Sequence, residues 1–372
     1  MCETIALCCL CFFTLYYLFF LTRVQLGFTK LIRRPHSEKI PFASIVVAAR
    51  NEERNIGRCL NSLLQQNYPS ARFEVIVVDD HSADGTIQKL SDLRKSFKNL
   101  KIFSADAEQS GKTAALARGI EEAKGEIILT TDADCSVSKN WALTMVSHFT
   151  EGVVMVAGPV LETGGVSFFS RMEKLEFLGL ICVGAGLIGS KRPIICNGAN
   201  LAYRRDAFFI AGGFGSGDAP NDDEMLMNVM VSRHIGSIDF AWEYPAIVST
   251  KSNNDAVSFF RQRLRWASKK GHYSDWTILL ELFFLYLFFL SIAFCTVLLF
   301  WLPQLWLPLA VSYAGKISVD FLTLRIGAKL WEQRISVFHF FIAELLHVPY
   351  ILIAAAAGQL IPLRWRGRTI HS

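Results

Sequence analysis

The sequence predicts an α/β fold: a mixed, mostly parallel sheet with helices on both faces, flanked by transmembrane helices. Three observations point there. Short apolar, β-branched runs alternate with helical patterns through the middle of the chain. Three of those runs end in acidic residues. Long uncharged apolar stretches stand at both ends.

The elements follow in order. Thr4 to Thr22 is uncharged and rich in Leu, Phe, Tyr and Cys, and it has the length a helix needs to cross a bilayer. A cleaved signal peptide fits poorly, because the start carries Glu3 and no basic residue. Arg23, Lys30, Arg33 and Arg34 follow, so the positive-inside rule places the N-terminus outside and the middle of the chain in the cytoplasm. Ser44–Ala49 reads as a buried strand and Asn55–Gln66 as a helix; Phe73–Val78 is a second strand, and Thr86–Lys95 a helix. Lys101–Phe103 is a short strand, Lys112–Ala123 a helix, and Glu126–Thr130 another strand. Ser167–Leu187 reads as a second interfacial segment.

The C-terminal third holds the runs Leu282–Leu302, Leu305–Leu324 (with Lys316 and Asp320 inside it) and Val337–Leu363. Basic residues flank the last run on both sides, so it is either a broken hairpin around Pro349 or a span whose tail violates the charge rule. Lys316 and Asp320, four apart, read as a self-neutralising pair facing a neighbouring helix. The domains expected are therefore an anchor over residues 1–25, a cytosolic domain over 40–275 and a membrane region of two to three spans over 276–372. The chain is then multi-pass in the plasma or inner membrane, with its globular domain in the cytoplasm.

Composition narrows the class. The 372-residue chain is 52% hydrophobic, too apolar for an ordinary soluble domain, while its globular middle excludes a pure transporter. The net charge of +5 gathers near the membrane boundaries, which suits anionic lipid and anionic substrates rather than nucleic acid. The nine cysteines have no metal spacing and read as small apolar fillers.

In open parallel sheets, ligands bind beyond the carboxyl ends of the strands, and the acids stand there. Asp132-Ala133-Asp134 directly follows an apolar strand. Two carboxylates so placed can share Mg2+ or Mn2+ while leaving positions open for phosphate. Asp79-Asp80 ends another strand. Ser110-Gly111-Lys112-Thr113 is not a phosphate-binding P-loop, because the required earlier glycine is Asp106. Asp222, Asp223 and Glu224 precede an apolar helical start, where acids also serve as caps. Gln262, Arg265, Trp266 and Lys269 share one face of an amphipathic helix just ahead of a span.

Together, Val47-Ala48-Ala49-Arg50-Asn51-Glu52, Val77-Val78-Asp79-Asp80-His81-Ser82, Gly111-Lys112, Asp132-x-Asp134, Asp222-Asp223 and Gln262-x-x-Arg265-Trp266 resemble the family 2 glycosyltransferases, in that order and over about 40–275. The arrangement of anchor, domain and C-terminal spans is similar to the membrane branch containing ceramide glucosyltransferases and polysaccharide synthases. The resemblance implies a GT-A-like, Rossmann-type sheet and inverting transfer from a nucleotide-sugar donor. It places the donor at Ala49, Glu52, Asp79, Asp80, Lys112, Asp132, Gln262 and Arg265. It implies a metal on Asp132 and Asp134, a base at Asp223 (or Asp222, since the acidic run blurs the register), and an acceptor site at Trp266, Asn197 and Asn200. Arg261, Arg263 and Lys270 are expected to meet lipid headgroups. The acceptor is expected to be a lipid or lipid-linked glycan, met among membrane lipids. A processive polysaccharide synthase and a non-catalytic nucleotide-sugar-binding protein are the alternatives.

Overall fold

The computed structural model describes residues 2–106, 111–214, 222–252, 263, 275–360, 363–365 and 368–370. Its centre is a seven-stranded sheet of order β3-β2-β1-β4-β8-β6-β9. These strands are β1 (Ala43–Ala49), β2 (Phe73–Asp79), β3 (Leu100–Ser104), β4 (Ile127–Thr130), β6 (Val153–Ala157), β8 (Leu201–Arg204) and β9 (Ser237–Phe240). β1 to β4 are mutually parallel, and β8 runs antiparallel between β4 and β6. The fold is the mixed, mostly parallel sheet expected. The strands read as unbroken apolar runs because both faces are covered: Ile45, Val46 and Val47, Val75 to Val78, and Ile127 to Leu129 are wholly buried.

Helices α2 (Ile56–Leu64), α3 (Thr86–Ser96) and α4 (Lys112–Glu121) fall within a few residues of the expected boundaries. α2 turns Ile56, Cys59, Leu60, Leu63 and Leu64 inward, a single apolar stripe at helical spacing. A small second sheet, order β5-β10-β7, joins β5 (Ser136–Val137), β7 (Val160–Thr163) and β10 (Val248–Lys251) beside the first.

Among the described residues, three helices are long and apolar enough to cross a membrane: Glu3–Leu31, Trp276–Leu298 and Val337–Ala357. They belong to α1 (Cys2–Leu31), α9 (Trp276–Leu298) and α11 (Val337–Leu360). Between the last two lies α10 (Trp306–Leu330), equally long and carrying Lys316 and Asp320. α11 passes through Pro349 without a break, so the hairpin considered from the sequence does not form; neighbouring helices tolerate a proline inside a membrane helix. Lys316 is fully buried and meets Asp320 at 2.8 Å, and it also bonds Glu344 and lies 3.1 Å from His347. Tyr17 donates to Asp320 at 2.7 Å. The pair faces neighbouring helices α1 and α11, as expected, but it is not self-neutralising, because Glu344 of α11 adds a second carboxylate to Lys316.

α6 (Phe168–Gly189) joins the membrane helices to the globular part. It spans the segment read as interfacial and packs tightly on α1. A Cβ on Gly27 would lie 1.9 Å from the Gly186 carbonyl oxygen, and one on Gly189 would lie 2.2 Å from that of Gly27. Such contact demands glycine on both helices. The lower part of α1 is thus a stalk fused to the globular domain.

Candidate active site

Register gathers the functional residues on one rim. Ala49 pairs with Asp79, Val46 with Thr130, Thr130 with Leu201, and Leu201 with Ala157. The chain leaves β1 toward β2 on one side and reaches β4 on the other, so the crevice between them is the topological switch point.

On the β2 side, the Ala49 carbonyl accepts from the Asp80 amide at 2.8 Å. Asp80 is buried and accepts from Arg50 and from the Gly111 amide, both at 3.1 Å, with His81 at 3.2 Å. Burial opposes ionisation, but these bonds hold the carboxyl below its ordinary range. Gly111 adopts φ +120°, a conformation open essentially only to glycine, and so turns the chain into α4 with Lys112 as its first residue. Asp79 accepts from the Ser82 amide through one oxygen at 3.1 Å. Its other oxygen is buried with no hydrogen bond among the described residues. Glu52 is held by Asn55, which donates to it at 2.9 Å.

On the β4 side, Lys112 Nζ lies 2.6 Å from Asp132 Oδ1. Desolvation works against its charge, yet the carboxylates of Asp132 and Asp223 raise its pKa above the ordinary lysine value. Burial, then the charge of Asp132, pushes the Asp134 carboxyl up. The loop carrying both acids rests on two buried thiols. Cys59 donates to the Asp132 carbonyl and Cys135 to Asp134 Oδ1, each at 3.5 Å. Those thiols, read as fillers, also serve as weak donors.

Across the cleft, α8 (Asp223–Ser232) begins. Asp222 is its cap and accepts from the Met225 amide at 2.8 Å. Asp223 is the first helical residue, and its carboxylate lies against Gly198: a Cβ there would come within 1.8 Å of Asp223 Oδ2. Burial, then the charge of Asp223, raises the Tyr203 phenol well above its ordinary value.

Lys112, Asp132, Asp223 and the Asn197–Asn200 turn therefore converge. Asn197 accepts from the Ala199 amide at 3.0 Å. Asn200 is a correction. It is completely buried, receives Trp141 Nε1 at 2.9 Å, and donates to the Pro159 and Ala246 carbonyls at 2.8 Å each. It braces the rim and offers nothing to an acceptor. Gln262, Arg265 and Trp266 lie outside the described residues, as do Arg261 and Lys270.

Arg263 is a second correction. It is buried rather than among headgroups, and it donates through Nε to both oxygens of Glu176 on α6, at 3.0 and 3.1 Å. Tyr350 of α11 donates to the same carboxylate at 3.3 Å. Nearby, burial and then the charge of Glu173 push the Glu162 carboxyl up to about 8. Sequence reasoning missed this cluster, although the helical spacing set Arg263 apart from Gln262, Arg265 and Trp266.

A sheet of this order, with an Asp-x-Asp loop at its switch point and a capped acidic pair across the cleft, defines the GT-A-like class. The chain belongs to the family 2 glycosyltransferases: residues 127–356 match glycosyl transferase family group 2, and residues 44–209 match glycosyl transferase family 2. It is 39% identical over 184 residues to the glycosyltransferase AglE of Haloferax volcanii, covering 47% of this chain and 56% of that one. It is 29% identical over 237 residues to the beta-monoglucosyldiacylglycerol synthase of Trichormus variabilis, covering 61% of this chain and 48% of that one. The chain thus spans about half the length of the curated relatives it matches. Among solved structures it resembles the mannosyltransferase PcManGT from Pyrobaculum calidifontis in complex with GDP-Man and Mn2+. The TM-score is 0.61 at 18% identity, over 97% of this chain and 99% of that one, a likeness of fold.

Proposed function

We propose that the chain transfers a sugar, with inversion, from a nucleotide-diphosphate sugar, most simply a UDP-sugar, to a lipid or lipid-linked acceptor at the cytoplasmic face of the cell membrane. The observation that carries this reading is the convergence at the switch point: Lys112 bonds Asp132 while lying in the field of Asp223, so the donor's phosphates and a general base meet there.

Asp132 and Asp134 suit a hard divalent cation, Mg2+ or Mn2+. Asp132 has already drawn in one cation, the Lys112 ammonium, and Asp134 carries the repulsion of its neighbour. When bound, the ion neutralises charge growing on the departing diphosphate. The buried, unsatisfied oxygen of Asp79 is the acceptor that a base imide N–H requires, with Ala49, Glu52 and Asp80 framing base and ribose. Gln262 and Arg265 are assigned to the diphosphate and Trp266 to the acceptor. Asp222 is occupied as a cap, which leaves Asp223 to take the proton from the attacking hydroxyl.

A lipid acceptor is supported by the nearness in the chain of the membrane-packed helix and the turn beside the base. Stalk helix α1 packs on α6, a Cβ on Gly184 of α6 would lie 3.2 Å from the Ile195 carbonyl, and three residues later Gly198 touches Asp223. The relative named for making monoglucosyldiacylglycerol agrees with that chemistry. The domain organisation proposed is the anchor over 1–25, the transferase over 40–275 and the membrane region over 276–372.

The test is a nucleotide-release screen of sugar nucleotides against membrane lipid extract, with mass spectrometry of the product. A metal-dependent glycolipid is expected. A ladder of long polymer overturns single transfer in favour of a processive synthase. Donor binding without release, whatever the lipid, indicates a binding protein.

A further inference from the structure

We propose that His36, His148 and Glu243 form a second metal site, sharing no residue with the Asp132 cleft, which takes a zinc-like divalent ion and clasps the membrane stalk to the globular domain. The three offer ligand atoms that all lie within 4.8 Å of one another. His148, just after α5 (Trp141–Ser147), is completely buried. Its Nε2 is 2.9 Å from Glu243 Oε2, and His36 Nε2 is 3.0 Å from Glu243 Oε1. The imidazole rings lie 4.6 Å apart. Zinc binds nitrogen and oxygen at about 2.0–2.2 Å, so the two histidine–carboxylate contacts are already close to the spacing of ligands on one ion, and rotation of the part-exposed His36 ring would close the set.

The surroundings are those of a built site. His148 Nδ1 faces Asp239 Oδ2 at 2.8 Å, and the other oxygen of Asp239 is paired with Arg34. That is the outer carboxylate that fixes the tautomer and orientation of a metal-bound histidine. A buried imidazole between two carboxylates calls for positive charge. Exchanging the Nε2 proton for a divalent ion releases one proton, adds one charge, and leaves Nδ1–H donating to Asp239. Two imidazoles and one carboxylate select a borderline ion such as Zn2+ over Mg2+. The fourth position opens to water in a surface depression lined by His36, Asn140, Thr144 and Glu243.

The location gives the ion its role. His36 lies in the connection from α1 to β1, His148 follows α5, and Glu243 follows β9. Arg34 in that connection also donates to the Ile188 carbonyl at the end of α6 and to that of Ile238. An ion there ties three segments together at the foot of the stalk. A second acidic and histidine group among the described residues, Asp320, Glu344 and His347, already encloses the Lys316 ammonium and has no such need.

The test uses the full chain in detergent carrying D132N and D134N, which removes the hard-cation site. The protein is treated with chelator and then titrated with Zn2+ and Co2+. One ion per chain is expected, with Co2+ giving the visible absorption of a nitrogen-ligated, low-coordinate centre and Zn2+ raising Tm. His36→Ala alters a side chain that is 41% exposed, so it folds, and it should weaken binding at least 10-fold. Glu243→Gln should do the same, and Asp239→Asn should weaken it about 10–100-fold. Failure of the parent to retain Zn2+, or equal binding by His36→Ala (an adventitious ion only), overturns the proposal and leaves the transferase reading untouched.

Discussion

Gly198→Ala tests the placement of Asp223 without altering any group assigned to the chemistry. Gly198 is not among the glycines with positive φ, so alanine meets no backbone penalty there. What it meets is the carboxylate: its Cβ would lie 1.8 Å from Oδ2 and 2.6 Å from Cγ of Asp223. Real Cβ contacts do not fall below 3.0 Å, so that oxygen must retreat by about 1.2 Å. A misplacement of about 1 Å in a catalytic constellation costs on the order of 100-fold in rate, or about 2.7 kcal/mol of barrier. The expected result is kcat for nucleotide release reduced by roughly 100-fold, with donor KM little changed because Asp79, Asp80 and Asp132 are undisturbed. Overpacking should cost about 1–3 kcal/mol of stability, so a thermal melt accompanies the assay. In an Asp223→Asn background the same substitution should cost almost nothing further, because the two changes strike one function. A folded Gly198→Ala enzyme with kcat within about threefold of wild type refutes the reasoning.

Other perturbations follow from the same geometry. Chelation should abolish turnover and Mg2+ or Mn2+ restore it, while Asp132→Asn should no longer respond to added metal; metal-independent wild-type turnover contradicts the Asp132–Asp134 assignment. Glu176→Gln removes the carboxylate that accepts from the buried Arg263 and should destabilise the protein by about 1–3 kcal/mol in a thermal or denaturant melt; a neutral Glu176→Gln refutes the pairing. In chelator-treated protein, His148 contributes a pH dependence. Its folded pKa lies above the ordinary value, so its stabilisation is full below about pH 6.5 and is lost as pH rises through about 9. Tm should fall across that window and stay flatter in His148→Gln; an equal fall in both sinks the assignment.

Much of the rim formed by β1, β2 and β4 was legible in the sequence, because a parallel strand buried on both faces leaves a continuous apolar signature. Ala49, Asp79 and Asp132 stand at or just beyond the strand ends where such runs stop. The second half was harder to read. β8 is four residues long and antiparallel, and nothing local distinguishes Leu201–Arg204 from a turn's exit. Asn197-Gly198-Ala199-Asn200 reads as a turn with two polar amides. Only the tertiary fold shows that one amide is spent on Trp141, Pro159 and Ala246, and that the glycine is the residue touching Asp223. Arg263 reads as an interfacial cation until Glu176, far away in sequence, is brought beneath it. The cluster of His36, His148, Asp239 and Glu243 draws on three separate segments, so no spacing rule could have found it.

The most direct test of the central claim is Asp223→Asn, measured for donor binding and for transfer in the same preparation. With UDP-sugar, Mn2+ and lipid extract, the variant should bind donor within a few-fold of wild type. Its glycolipid product should fall by roughly 100-fold or more, the contribution expected of a positioned general base. Wild-type turnover in a folded Asp223→Asn protein would contradict the account.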